Sequence, residues 1–85
     1  MELVESKITY PQELLVSLKE TEEGFVQEIK VLASVKLFEL GRLSLGKAAK
    51  LAEMSKWSFI KTLSDYQVSI FHLSKDELNR DVENA

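Results

Sequence analysis

Residues 44–66 read SLGKAAKLAEMSKWSFIKTLSDY, and no other run in the chain carries as much structural information. Ser44 is suited to a helix N-cap, where a hydroxyl accepts from a free first-turn N–H. Leu45, Ala48, Ala49 and Ala52 follow at i, i+3, i+4 and i+7, one narrow apolar stripe of a helix. Three of these four are alanines, so another helix can approach closely. Glu53 and Met54 break the pattern and Ser55 supplies a second cap. Phe59, Leu63 and Tyr66 then line the buried side of a second helix. A small-residue helix, a tight turn and a helix with an aromatic anchor spell a helix-turn-helix.

Upstream, Thr21 caps a long helix whose first turn carries Glu22 and Glu23, anions favoured by the helix dipole. It is expected to reach about Leu40 and to close at Gly41, a residue at ease in the left-handed C-terminal position. This helix is apolar on two sides. Val26, Ile29, Ala33, Leu37 and Leu40 form one stripe, and Val31, Val35 and Phe38 form another nearly opposite. The second stripe is assigned to a homodimer interface, the alternative being burial against other segments of the same chain. Before it, Pro11 opens a short helix over residues 11–19 with Leu14, Leu15 and Leu18 on one face. Residues 3–10 alternate, Val4, Ser6, Ile8 and Tyr10 one way and Leu3, Glu5, Lys7 and Thr9 the other, which predicts a strand.

Downstream, residues 67–73 (QVSIFHL) are β-branched and aromatic and predict a second short strand. It is the natural mate for the first, either within one chain or across two protomers. Ser74 and Glu77 form a capping box ahead of a thinly apolar acidic tail. The expected fold is therefore mainly α: a helix-turn-helix core, a short N-terminal strand and a short strand after the recognition helix making a small β ribbon, in a dimer. All 85 residues form one domain, with 1–43 as the dimerisation part, 44–66 as the helix-turn-helix and 67–85 as strand and tail.

Composition narrows the function classes. There is no cysteine, hence no disulfide, thiolate nucleophile or thiolate zinc site. No apolar run approaches the ~18 residues of a membrane span, and the opening MELVESKITY lacks the regions of a signal peptide, so a cytoplasmic protein is expected. The net charge of −3 is unevenly spread. Residues 1–35 carry −4 and residues 62–85 carry −3, but residues 36–61 carry +4, from Lys36, Arg42, Lys47, Lys50, Lys56 and Lys61 against Glu39 and Glu53. A basic patch centred on a helix-turn-helix is an electrostatic footprint for phosphate. Lysines solvating exposed helix faces would produce the same count.

A recognition helix contacts bases mainly from its N-terminal turns, which selects Lys56, Trp57, Ser58 and Lys61. The helix N-termini at Ser44 and Ser55 attract phosphates, and Lys47 and Lys50 fall near the duplex backbone. Trp57 suits either a groove contact or packing on a neighbouring helix. Catalysis has no foothold: His72, the single histidine, has no nucleophile or metal partner at a useful spacing, and GRLSLGK lacks P-loop spacing. No enzyme activity, metal or cofactor is expected.

Residues 33–63, ASVKLFELGRLSLGKAAKLAEMSKWSFIKTL, add a family likeness. Gly41, Leu43, Ser44, Leu45, Gly46, Lys47, Ala48, Ala49, Ala52, Met54, Ser55, Trp57 and Phe59 match the core pattern of a family of small prokaryotic proteins of uncharacterised function, with Glu53 standing where that pattern has glycine. The chain resembles VapB-like antitoxins paired with PIN-domain ribonuclease toxins. The resemblance implies a DNA-binding antitoxin that represses its own operon and neutralises the toxin through a terminal segment. Carried onto this chain, residues 44–64 bind operator DNA and residues 73–82 dock on the toxin, with Leu73, Leu78, Arg80 and Val82 as contacts and Lys75 as a second basic choice. The competing readings are a protein-interaction module that never meets DNA and a stand-alone helix-turn-helix regulator.

Overall fold

The computed structural model describes residues 2–69. They form four helices in chain order: α1 (Glu13–Leu18), α2 (Glu22–Glu39), α3 (Leu45–Leu51) and α4 (Lys56–Asp65). Each of the last three starts at the hydroxyl residue expected of it. Thr21 Oγ1 accepts from the Gly24 N–H at 3.0 Å, Ser44 Oγ from Lys47 at 3.2 Å and Ser55 Oγ from Ser58 at 3.1 Å.

The helix ends share one device. After α2, Gly41 turns left-handed (φ +75°), its N–H donates to the Phe38 carbonyl and the Arg42 N–H reaches back to Leu37. That is a Schellman closure, in which two backbone N–H groups satisfy carbonyls left open at a helix end. The same closure ends α1 at Lys19 (φ +56°), α3 at Glu53 (φ +57°) and α4 at Gln67 (φ +60°). Only one of the four left-handed positions holds a glycine, although other L-residues pay roughly 1–2 kcal/mol there.

α2, α3 and α4 pack around one core of Val35, Phe38, Leu45, Ala48, Ala49, Ala52, Phe59 and Leu63, with Val31, Leu43, Met54, Ile60 and Val68 at its edge. The alanine stripe brings α3 against α2 as its small side chains allow. The rings of Phe38 and Phe59 meet edge to face, centroids 6.2 Å apart and planes at 88°, the geometry favoured by the ring quadrupole. Ser34 is the one buried polar side chain among the described residues, and its hydroxyl donates to the Lys30 carbonyl at 2.6 Å. Removing a buried phenylalanine ring costs about 3–5 kcal/mol, comparable with the stability of many small domains. The two rings are therefore central to this core.

Three expectations need correction. There is no strand among the described residues, so the small β ribbon is absent from them. Residues 3–10 have no regular secondary structure, and Leu3 and Val4 are each 90% exposed. Alternation determines which side chains share a face, but a ladder also requires a partner backbone. The intended mate is not a strand where it is described: Gln67 and Val68 donate their N–H groups to Ser64 and Leu63, closing α4. Residues 70–73 of that segment lie outside the described residues. Second, Val31, Val35 and Phe38, assigned to a dimer interface, face the chain's own core, with Phe38 only 1% exposed. Their stripe is the surface that α3 and α4 cover. Third, α1 is shorter than expected and buries little: Leu15 is half-buried, whereas Leu14 and Leu18 are exposed.

The N-terminal segment is anchored at its end, where the centroid of the Tyr10 ring lies 4.6 Å from that of Phe25. At the end of α1, one Glu20 carboxylate oxygen is shut from solvent. The Glu20 carboxyl is held above the usual glutamate value of 4.5, first by a hydrogen bond with Glu28, then by burial and by repulsion from the same carboxylate. A raised carboxyl pKa in the folded state means that protonation favours folding. The resulting stabilisation is full below pH 4.5 and is lost as pH rises through the raised value. Glu20→Gln is therefore expected to raise the melting temperature at pH 7 and to lose that advantage below pH 4.5, as thermal melts across pH will read.

Glu53→Gly relieves the left-handed strain while giving up the exposed ion pair of Glu53 with Lys30 on α2, which contributes about 0–1 kcal/mol. The expected net gain is about 1 kcal/mol, or roughly 4–8 °C in melting temperature for a domain of this size. Glu53→Ala keeps the strain and loses the pair, so calorimetry should show no gain for it.

Candidate nucleic-acid interface

The turn between α3 and α4 is held from outside the motif. The Gln27 side-chain amide on α2 donates to the carbonyl of Ala52 at 2.9 Å, at the C-cap of α3. One turn further along α2, Lys30 Nζ bonds Glu53 Oε2 at 2.8 Å. These two contacts fasten the turn to the long helix. At its other side the Thr62 hydroxyl lies 3.5 Å from the Met54 sulfur and 3.0 Å from the Ser58 carbonyl. Nothing in local sequence points to Gln27 or Lys30, because their partners lie 25 and 23 residues away. Their single faint signal is placement: polar residues at i, i+3 on a helix whose other faces are apolar.

The two helix N-termini differ. Behind Ser44, the first residues of α3, Leu45 and Gly46, are buried. Ser44 itself is half-buried and accepts from the exposed Lys47 N–H. The first turn of α4 is more open. Ser55 caps the helix and also hydrogen-bonds Ser58 Oγ at 3.0 Å, but Ser55, Trp57 and Ser58 are exposed and Lys56 is half-buried. Phe59 and Leu63 point into the core. α4 therefore keeps one side for the protein and presents its N-terminal turn outward.

Of the expected DNA contacts, Lys47 and Lys50 lie exposed on α3, and Lys61 is exposed on α4 one turn beyond Trp57. None of Lys47, Lys50, Lys56 and Lys61 forms an ion pair with another described residue. The two acids of the basic segment, Glu39 and Glu53, are instead engaged with Lys36 and Lys30. The positive charge on the α3–α4 surface is thus left largely uncompensated by its nearest acids. Trp57 is 66% exposed, which decides its position: the indole is on the surface and not packed between helices. The assigned toxin contacts Leu73, Leu78, Arg80 and Val82, with Lys75, lie outside the described residues.

Among the described residues, no group of three or more His, Asp or Glu side chains is arranged to hold a metal ion. No helix there is long and apolar enough to cross a membrane. An open groove of about 620 Å³ runs beside the N-terminal segment, lined by Ile8, Tyr10, Leu15, Glu22 and Val26 among others. It lies away from the basic surface in sequence and carries no cluster of reactive groups.

Over residues 1–85 the chain matches the profile described as "Uncharacterised protein family (UPF0175)". A protein of Aeropyrum pernix described as "UPF0175 protein" is 35% identical to it over 78 residues, 92% of this chain and 82% of that one. No solved structure gives a significant match.

Proposed function

The chain belongs to the uncharacterised protein family UPF0175, and for this member we propose a DNA-binding antitoxin that represses its own operon as a homodimer. In this reading α3 and α4 form the helix-turn-helix and the N-terminal turns of α4 enter the major groove. Lys56, Trp57, Ser58 and Lys61 meet the DNA there, and Lys47 and Lys50 meet its phosphates. Residues 73–82 hold the toxin, a PIN-domain ribonuclease.

The observation that carries the DNA part is the outward N-terminal turn of α4 amid four cations with no ionic partner among the described residues. A helix-turn-helix that only filled a core would have no need to keep one face basic while its acids are tied up behind it. The turn's anchorage by Gln27 and Lys30 supports the same reading, since readout needs a recognition helix held at a fixed angle. The overall charge of −3 is compatible with it, because phosphate responds to the local field within a Debye length of roughly 10 Å. The antitoxin part rests on the family likeness. A dimer reads a two-fold operator as paired half-sites. With Val35 and Phe38 buried in their own chain and Val31 packed at the edge of that core, the apolar surface left for a second copy includes Val16 and Leu18 of α1 and Leu32 of α2.

Fluorescence anisotropy of a labelled duplex from the gene's own upstream region tests the DNA part. Affinity should fall with salt at a log–log slope of about −0.9 per phosphate contacted and exceed that for random duplex. Lys56→Glu with Lys61→Glu should abolish binding while leaving the helical circular dichroism unchanged. An unchanged affinity in that variant would sink the DNA reading.

Deleting residues 74–85 tests the antitoxin part. The truncated protein should bind the duplex as before and no longer co-purify with a co-expressed ribonuclease encoded next to it. Retention of the ribonuclease would refute the tail's role.

A further inference from the structure

Trp57 is the sole tryptophan in the sequence and occupies the second position of α4, two residues past the Ser55 cap. Two-thirds of its surface is open to solvent. An indole left in water forgoes one of the largest apolar burials any side chain can make, although the core lies on the opposite side of the same helix. Lys61 follows one turn later on the same face, and Lys56 is its immediate neighbour. Among the described residues the indole N–H has no hydrogen-bond partner.

This inference rests on the DNA reading above and names a feature of the duplex. The major groove offers one apolar group, the C5-methyl of thymine; its other features there are hydrogen-bond donors and acceptors. A recognition helix reaches base edges from its first turns, where Trp57 stands. The side chain has a broad apolar face and a single donor, with no acceptor. It therefore suits a methyl group and cannot satisfy the amino groups of adenine or cytosine. Its cationic flanks favour DNA over a protein partner, since lysine is depleted from protein interface cores and is the usual companion of phosphate. We propose that Trp57 is a specificity-determining residue that packs its indole against a thymine methyl in the operator major groove, so that the contacted position must carry a 5-methyl group.

The test compares the upstream duplex with the same duplex bearing deoxyuridine for thymidine, which removes the methyl groups and leaves base pairing intact. Binding is read from a fluorescent label on the DNA and from the intrinsic emission of Trp57. The native duplex should change Trp57 emission, and the uridine duplex should bind about fivefold more weakly, the scale of one lost base contact. Trp57→Ala should bind the native duplex more weakly by a similar factor and no longer distinguish the two duplexes. Trp57→Phe should keep part of the discrimination, and because residue 57 is exposed both variants should retain wild-type helicity.

Duplex binding with unchanged tryptophan emission and equal affinity for the two duplexes would overturn the methyl contact while leaving the DNA reading intact. Absence of binding to any duplex in low salt would overturn both. If Trp57→Ala binds both duplexes as wild type does but loses a co-expressed ribonuclease, the residue serves a protein contact and the proposal fails.

Discussion

The close approach of α3 to α2 is the constraint on which the remaining architecture rests. Ala48, Ala49 and Ala52 are fully or almost fully buried because their side chains end at the first carbon. With α3 drawn in, Phe38 and Phe59 are near enough to meet edge to face and fill the space between α2 and α4. A larger side chain anywhere on the alanine stripe would push α3 outward and separate the rings. The core is small, and interiors are packed too densely to absorb such a change without strain. Placement of α4, and with it the whole basic face, follows from a stripe of methyl groups.

Above that packing lies a layer of backbone closure. Four helices stop by the same pair of reverse hydrogen bonds, so connections are short and each next helix starts at a defined angle. Glu53 shows the compromise. It adopts the conformation a glycine would take more cheaply, and its carboxylate reaches Lys30 on α2. Glycine would give a less strained turn and a turn less firmly tied to the long helix. Gln27, bonded to Ala52 next door, performs the same tethering with a neutral group.

The pairing of Glu39 and Glu53 with Lys36 and Lys30 has an electrostatic consequence. Surface ion pairs contribute little to stability, so these two matter more for where charge is left over. With the acids of the segment engaged on the α2 side, the cations of α3 and α4 retain their field toward solvent. An acidic chain can in this way present one basic face, with an exposed indole within it.

Elements whose logic is local were legible in the sequence. Thr21, Ser44 and Ser55 were identifiable as caps because a hydroxyl bonds an N–H three residues away, and Gly41 as a helix end because its backbone freedom is intrinsic. The alanine stripe and the cluster of lysines also follow from spacing alone. Long-range relations were not legible there. Periodicity placed Val31, Val35 and Phe38 on one face of α2 but could not say whether that face met its own chain or a copy, and tertiary packing put α3 and α4 on it. Alternation in residues 3–10 described a strand's side chains without supplying the backbone a strand must pair with, and Gln67 and Val68 are used by α4. Residue order thus sufficed for whatever hydrogen-bonds or repeats within a helical turn or two. The identity of the covered face, the tether from Gln27 and Lys30 and the exposure of Trp57 depend on atoms more than twenty residues apart or on a surface left uncovered, and only the folded chain brings those together.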